Sequence, residues 1–153
     1  AKILNLNKSY RSTKEINSYA LKLLPEDKKY EIFERSGEEV TEVSGSVEEF
    51  KNAVKELAEN SPSTCIITRN LKETIAVYNE LKGEIDGLRI CDNKSFELSH
   101  NPIVMPLALT KGLEFDNVIV YDKDGAFKGE ENKKYLYMAS TRALHKLVVF
   151  AVN

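Results

Sequence analysis

Three stretches of this 153-residue chain hold side chains suited to gripping a base, a ribose and a phosphate. In Leu6-Asn7-Lys8-Ser9-Tyr10-Arg11-Ser12-Thr13, the Tyr10 ring offers a π-face for a base beside the planar guanidinium of Arg11, which suits phosphate. In Lys111-Gly112-Leu113-Glu114-Phe115-Asp116, the glycine allows a backbone turn that presents Glu114, whose carboxylate accepts hydrogen bonds from ribose hydroxyls. In Tyr135-Leu136-Tyr137-Met138-Ala139-Ser140-Thr141-Arg142-Ala143, the small neighbours of Arg142 leave its side chain room to reach across an interface. An arginine fixed opposite a phosphate spreads the charge of a transferring γ-phosphoryl group, an effect of about a thousandfold or more in rate. Each stretch also has a plainer reading. Tyr10 would pack on a sheet end with Arg11 paired to a carboxylate, Gly112 would be a loop glycine among solvated charges, and Arg142 would lay its stem along a helix surface.

The elements that must position these residues alternate between strand and helix. Ile3, Leu4 and Leu6 read as a strand, and the capping pattern Ser12-Thr13-Lys14-Glu15 opens a helix whose Ile16, Tyr19, Ala20, Leu23 and Leu24 recur at helical spacing up to Pro25. Residues 29–35 and 39–43 alternate weakly around Gly37, which predicts a hairpin of two short polar edge strands. Ser46 to Glu49 forms a second capping box, followed by Val47, Phe50, Val54, Leu57 and Ala58 on one helical face that ends near Asn60-Ser61-Pro62. Thr64 to Thr68 is an apolar strand, after which Asn70 caps a helix with Glu73 in its first turn and Ile75, Tyr78 and Leu81 on its inner face.

Leu88 to Cys91, Ile103 to Leu109, Val118 to Tyr121 and Leu147 to Val152 are further strands, the last two apolar enough to need cover on both faces. Between those two, Glu131 to His145 reads as a helix with Leu136, Ala139 and Ala143 on one side and Tyr135, Met138 and Arg142 on the other. The pattern predicts one α/β domain over residues 1–153, RecA-like, with three layers and a mainly parallel sheet. It places Tyr10, Arg11 and Glu114 together at the rim where strands end, the usual ligand rim of open α/β sheets.

Composition sets the outer limits. Lys and Arg number 22 against 24 Asp and Glu, so the chain has no global field to draw in nucleic acid, and any such contact must be local. With 42% hydrophobic and 30% charged residues and no apolar run of membrane-spanning length, a soluble globular protein is expected, without membrane insertion. Cys65 and Cys91 lack C-x-x-C spacing, and His100 and His145 stand at no metal-ligand interval from them, so reduced thiols in a cytoplasmic protein and no metal site are expected. The chain starts at Ala1 without a leader pattern, which suggests a piece of a longer protein.

In order and spacing the three stretches resemble the UvrD/Rep family of superfamily 1 helicases. The second motor domain of that family opens with N-Y-R-S, continues to A-K-G-L-E-F-D and closes with L-Y-V-A-x-T-R-A. The resemblance runs from Ile3 to Phe150. It implies that Tyr10 stacks on adenine, that Arg11 and Arg142 approach the γ-phosphate, and that Glu114 holds the ribose, all four on one face of an inter-domain cleft. Cys65 to Arg69 resembles the family motif that ends in an arginine touching single-stranded DNA, which makes Arg69, with Lys111, a nucleic-acid contact. The plainer reading of Arg69 is a helix-start arginine with no partner.

Some positions depart from the family pattern. Pro106 and Ala108 stand where the family has T-x-H, Thr110 stands for its alanine, Ser9 for the asparagine before Tyr10, and Leu71 for an asparagine that would assist Arg69. The proline before the Lys111 run and the Ser9-Tyr10-Arg11-Ser12-Thr13 opening are similar to the HelD branch, relatives of helicase IV that include factors releasing stalled RNA polymerase.

No G-x-x-x-x-G-K-[ST] loop and no strand ending in paired Asp-Glu occurs in the sequence. The resemblance therefore implies an N-terminal motor domain as partner, which holds ATP with Mg²⁺, and a chain that is inactive in hydrolysis by itself. Single-stranded DNA is the implied track. An RNA polymerase remodeller and a degenerate interaction domain stand as alternatives.

Overall fold

A computed structural model of the chain describes residue 16 and residues 41–91, 101–124 and 133–153. Strand β1 (Thr41–Gly45) leads to helix α1 (Val47–Asn60), β2 (Thr64–Thr68), α2 (Leu71–Leu81), the short β3 (Arg89–Ile90) and β4 (Ile103–Pro106). A 3₁₀ turn (Leu107–Leu109), β5 (Phe115–Lys123), α3 (Lys133–Ser140) and β6 (Ala143–Val152) complete the described chain. The six strands form one sheet in the order β1-β6-β5-β2-β4-β3, and every pairing is parallel.

Strands β2 and β4, the centre of β5 and the second half of β6 are apolar on both faces because both are covered, as parallel crossovers require. Ile66, Val104, Ile119, Val148 and Phe150 point into one core with Phe50, Val54 and Leu57 of α1 and Val77 and Leu81 of α2. Their strand neighbours Cys65, Ile67, Met105, Val118, Val120 and Val149 point into the other, with Leu136 and Ala139 of α3 and the helical residue Ile16. The period-two alternation thus sorts one sheet between two helical layers, giving the expected α/β/α arrangement. Each fully buried Ile, Val or Leu contributes about 1.5–3 kcal/mol. Cys65 and Cys91 lie in the second core and form no disulfide, and burial pushes the Cys65 thiol well above its ordinary range.

Local sequence fixes the helix starts. The Ser46 hydroxyl accepts from the Glu49 N–H at 3.2 Å while Glu49 accepts from the Ser46 N–H at 3.1 Å, the predicted capping box. Asn70 caps α2 by accepting from the Glu73 N–H at 2.9 Å. No described helix is long and apolar enough to cross a membrane.

Three expectations are corrected. The inner face of α2 is Thr74, Val77 and Leu81, and Ile75 is exposed. Thr74 turns inward because its hydroxyl meets that of Thr68 at 2.6 Å and the Asn70 carbonyl at 3.0 Å, which offsets the cost of burying it. Strand β4 stops at Pro106, where the chain turns into the 3₁₀ segment. Helix α3 spans only Lys133–Ser140, and the remainder of the predicted Glu131 to His145 helix is a turn and the start of β6. Of the predicted hairpin, only Thr41–Gly45 is described, and it pairs in parallel with β6. The opening strand, residues 29–35, and Tyr10 and Arg11 lie outside the described residues.

Candidate functional site

Because the sheet is all parallel, it has an entry edge, where strands begin, and an exit edge, where they end. The connection from β4 to β5 must return from exit to entry edge past β2, which lies between them. It does so without an α-helix, over residues 107–114, pinned to the core by buried Leu107 and by Leu109, Leu113 and Phe115. Thr110 is fully buried, with its hydroxyl donating to the Leu107 carbonyl at 2.7 Å. The Leu113 N–H closes a four-residue turn onto the Thr110 carbonyl at 2.9 Å, with Gly112 third at φ 79°. A third residue with positive φ is the mark of a type II turn, and glycine adopts it without strain. Lys111 and Gly112 are exposed at the tip.

This path delivers Glu114 to the entry edge, immediately before β5, and not to the rim where strands end. The sequence reading put it at the wrong rim because a loop that follows a strand normally stays at that strand's exit. Arg142 reaches the same edge from the other side. It lies in the turn after α3 rather than within the helix, since the Phe115 N–H donates to the Arg142 carbonyl at 2.8 Å and Ala143 pairs with Phe115 as β6 begins. Recruitment of that carbonyl by β5 ends the helix; the Arg142 N–H still makes a tight bond to the Ala139 carbonyl at 3.1 Å.

Glu114 and Arg142 are therefore neighbours. The Arg142 guanidinium is half-buried, and this burial lowers its proton affinity, against the opposing fields of Glu114 first and Tyr137 second. Its Nε is buried with no hydrogen-bond partner among the described residues. A buried, unsatisfied guanidinium donor costs free energy and calls for a ligand or a functional reason.

The same edge holds residues that the sequence reading did not single out for chemistry. Asp116 accepts from the Ser61 hydroxyl at 2.9 Å, its N–H donates to the Ser63 hydroxyl at 3.1 Å, and the His145 Nε2 stands 3.6 Å from its other oxygen. Asn117 is buried, and its amide donates to the Leu57 carbonyl at 3.1 Å and the Asn60 side chain at 3.2 Å. The register of β5 and β6 slips by one residue between Phe115 and Asn117, a bulge of the kind that re-aims side chains next to sites. The Ser61-Pro62-Ser63 run was the available signal, since it ends a helix with two hydroxyls at a strand entry.

Arg69 stands at the opposite, exit edge, directly after β2. Against the reading of a partnerless arginine, its Nε and Nη2 donate to Glu73 Oε2 at 3.1 and 2.6 Å, and its backbone N–H donates to Glu73 Oε1 at 3.1 Å. Glu73 is the main cause that raises its proton affinity, with the fields of Asp122 and Asp124 at the end of β5 adding to it. The structure thus brings Glu114 and Arg142 together and keeps Arg69 apart from them.

Residues 105–150, the span from β4 through Glu114 and Arg142 to β6, match the family model of the UvrD-like helicase C-terminal domain. No curated protein matches the chain. Among solved structures, it is similar to the crystal structure of the C-terminal domain of a possible DNA helicase from Lactobacillus plantarum WCFS1. That pair shares 28% identity with a TM-score of 0.75, over 93% of this chain and 86% of the other. The chain has the α/β fold of a helicase C-terminal domain, with a parallel six-stranded sheet.

Proposed function

We propose that this chain is the C-terminal motor half of an ATP-dependent nucleic-acid translocase, and that its entry edge completes an ATP site carried mainly by an N-terminal motor domain. The observation that carries the proposal is Arg142, half-buried beside Glu114 with an orphaned Nε, inside the segment matched by the helicase family. A γ-phosphate meets the exposed part of this half-buried guanidinium, and the charge-assisted contact strengthens as negative charge develops on the transferring group. Glu114, a carboxylate on the same edge, accepts from the ribose. By the family resemblance, Arg11 and Tyr10, which lie outside the described residues, meet the γ-phosphate and the adenine. Mg²⁺ and the attacking water belong to the partner domain.

Closure of the two domains on ATP and reopening after phosphate release would move the pair along a single strand, with Lys111 and Arg69 touching its phosphates. A second reading keeps the motor and changes its task to displacing RNA polymerase in the manner of the HelD branch. The observation in its favour is that Pro106 is buried at the end of β4 and Ala108 is a methyl group, where the family has polar strand contacts.

The test is the nucleic-acid-stimulated ATPase rate of the full-length protein beside its Arg142→Ala variant, with folding checked by circular dichroism. A loss of about a hundredfold or more with the fold intact is expected. An unchanged rate removes Arg142 from the ATP site and the proposal with it. An unwinding assay on the same protein separates helicase from remodeller.

A further inference from the structure

The exit edge carries an arrangement that the motor reading does not explain. Arg69 is exposed at 36% of its side chain, while Glu73, which grips it, is exposed at only 11%. The carboxylate is thus the sunken partner, fixed from two sides. One oxygen takes the backbone N–H of Arg69, and the other takes the Nε and Nη2 edge of the guanidinium. That edge is one of those on which a guanidinium binds phosphate with two parallel hydrogen bonds.

We propose that Glu73 is an electrostatic gate on Arg69, occupying the phosphate-binding edge of its guanidinium and thereby weakening the grip of this domain on a nucleic-acid strand. The proposal rests on the reading above that a strand passes Arg69, and it adds the device that sets how tightly the strand is held there. An arriving phosphate meets no net positive charge at this point. Glu73 cancels the guanidinium at contact distance, and Asp122 and Asp124 extend the anionic surroundings from the end of β5. Lys72 and Lys123, both exposed, are the cations nearest to this group in sequence. Three of the five guanidinium N–H donors stay outside the pair, so a phosphate can engage them and then compete for the edge. A partly exposed i,i+4 pair is weak enough for such an exchange. A translocating motor needs contacts that release as readily as they form, and an internal competitor four residues away provides that without a second protein.

The experiment is a fluorescence-anisotropy titration of labelled oligo(dT) by the intact protein over a series of KCl concentrations, for wild type, Glu73→Gln, Arg69→Gln and the double variant. Glu73→Gln keeps the side-chain shape and an acceptor for the Arg69 N–H, and circular dichroism melts confirm its fold. Glu73→Gln is expected to bind roughly fivefold more tightly at low salt, with a slope of log affinity against log salt steeper by about 0.7. Arg69→Gln is expected to cost more affinity in the Glu73→Gln background than in wild type, the signature of a coupled pair. Unchanged affinity in Glu73→Gln, or additive effects of the two changes, overturns the gate. If wild type shows salt-dependent binding that Arg69→Gln leaves unaltered in both backgrounds, the strand reading of Arg69 falls, and the gate falls with it.

Discussion

The two edges of one sheet treat an arginine in opposite ways. At the exit edge Arg69 has both its side chain and its backbone N–H matched to a single carboxylate, and its charge is cancelled on the spot. At the entry edge Arg142 is more deeply buried in its surroundings yet keeps an unmatched Nε, with only the field of Glu114 and Tyr137 to offset desolvation. Stability alone would favour the reverse, a matched pair where water is excluded and a loose one where it is not. The difference separates a group held ready for something outside the chain from one held back by something inside it.

The largest effect that sharpens this contrast, beyond the loss of ATPase in Arg142→Ala, concerns Glu114. In the full-length protein Glu114→Gln is expected to raise the KM for ATP by about tenfold, more than it lowers kcat, as for the loss of a charged hydrogen bond to bound ribose. If kcat collapses while KM holds, Glu114 serves to position Arg142 and does not touch ribose.

A smaller effect compares the two arginines directly by urea denaturation. Arg69→Met is expected to cost at most about 1 kcal/mol, as for other partly exposed pairs. Arg142→Met is expected to cost nothing or to stabilise, because it removes a buried donor that has no acceptor. A large loss in Arg142→Met would mean that its guanidinium is already satisfied, and the contrast between the edges would vanish.

The smallest effect belongs to charges at neither edge. Lys51 on α1 bridges Glu48, Glu80 and Glu84 at 3.3 Å each, and Lys55 meets Glu84 at 3.2 Å, tying α1 to α2. Lys55 and then Lys51 hold the Glu84 carboxyl below its usual range, and Glu84 first among the acids holds Lys51 above its own. A depressed carboxylate contributes above its unfolded value and loses that contribution as pH falls through the folded one. A raised ammonium contributes below its unfolded value and loses it as pH rises through the folded one. The network therefore acts across neutral pH and weakens below about pH 4.5. Lys51→Met is expected to lower the melting temperature by about 2 °C or less at pH 7 and by less as the pH falls below about 4.5. Its ATPase rate and strand affinity should match wild type; a change in either would extend the functional surface to the helical face.

The sequence displayed the layers better than the path between them. Capping at Ser46 and Asn70 and the unbroken apolar runs of β2, β5 and β6 are local signals, and local signals set element type. The inner face of α2 was misread because Thr74 is polar by composition and buried only through its bond to Thr68, a tertiary fact. The end of α3 was misread because Tyr135 to Ala143 keeps a helical period, while the Phe115 N–H decides where the helix stops. Glu114 and Arg142 were legible as residue types with a family-like spacing. Their meeting at the entry edge was not, since it depends on a helix-free crossover that no periodicity encodes. Glu73 was seen only as a first-turn helix residue, although its place four positions after Arg69 was the signal for an ion pair.

The segment 107–114 begins where β4 leaves the sheet and finishes at Glu114, so a single stretch of backbone runs between the two edges. It holds no α-helix, only the 3₁₀ turn, and Leu107 and Thr110 are buried while Leu113 packs against the core, so it has the form of a short strut. In the motor proposed above, this segment would be a direct backbone tie from the exit of β4 to the carboxylate beside Arg142.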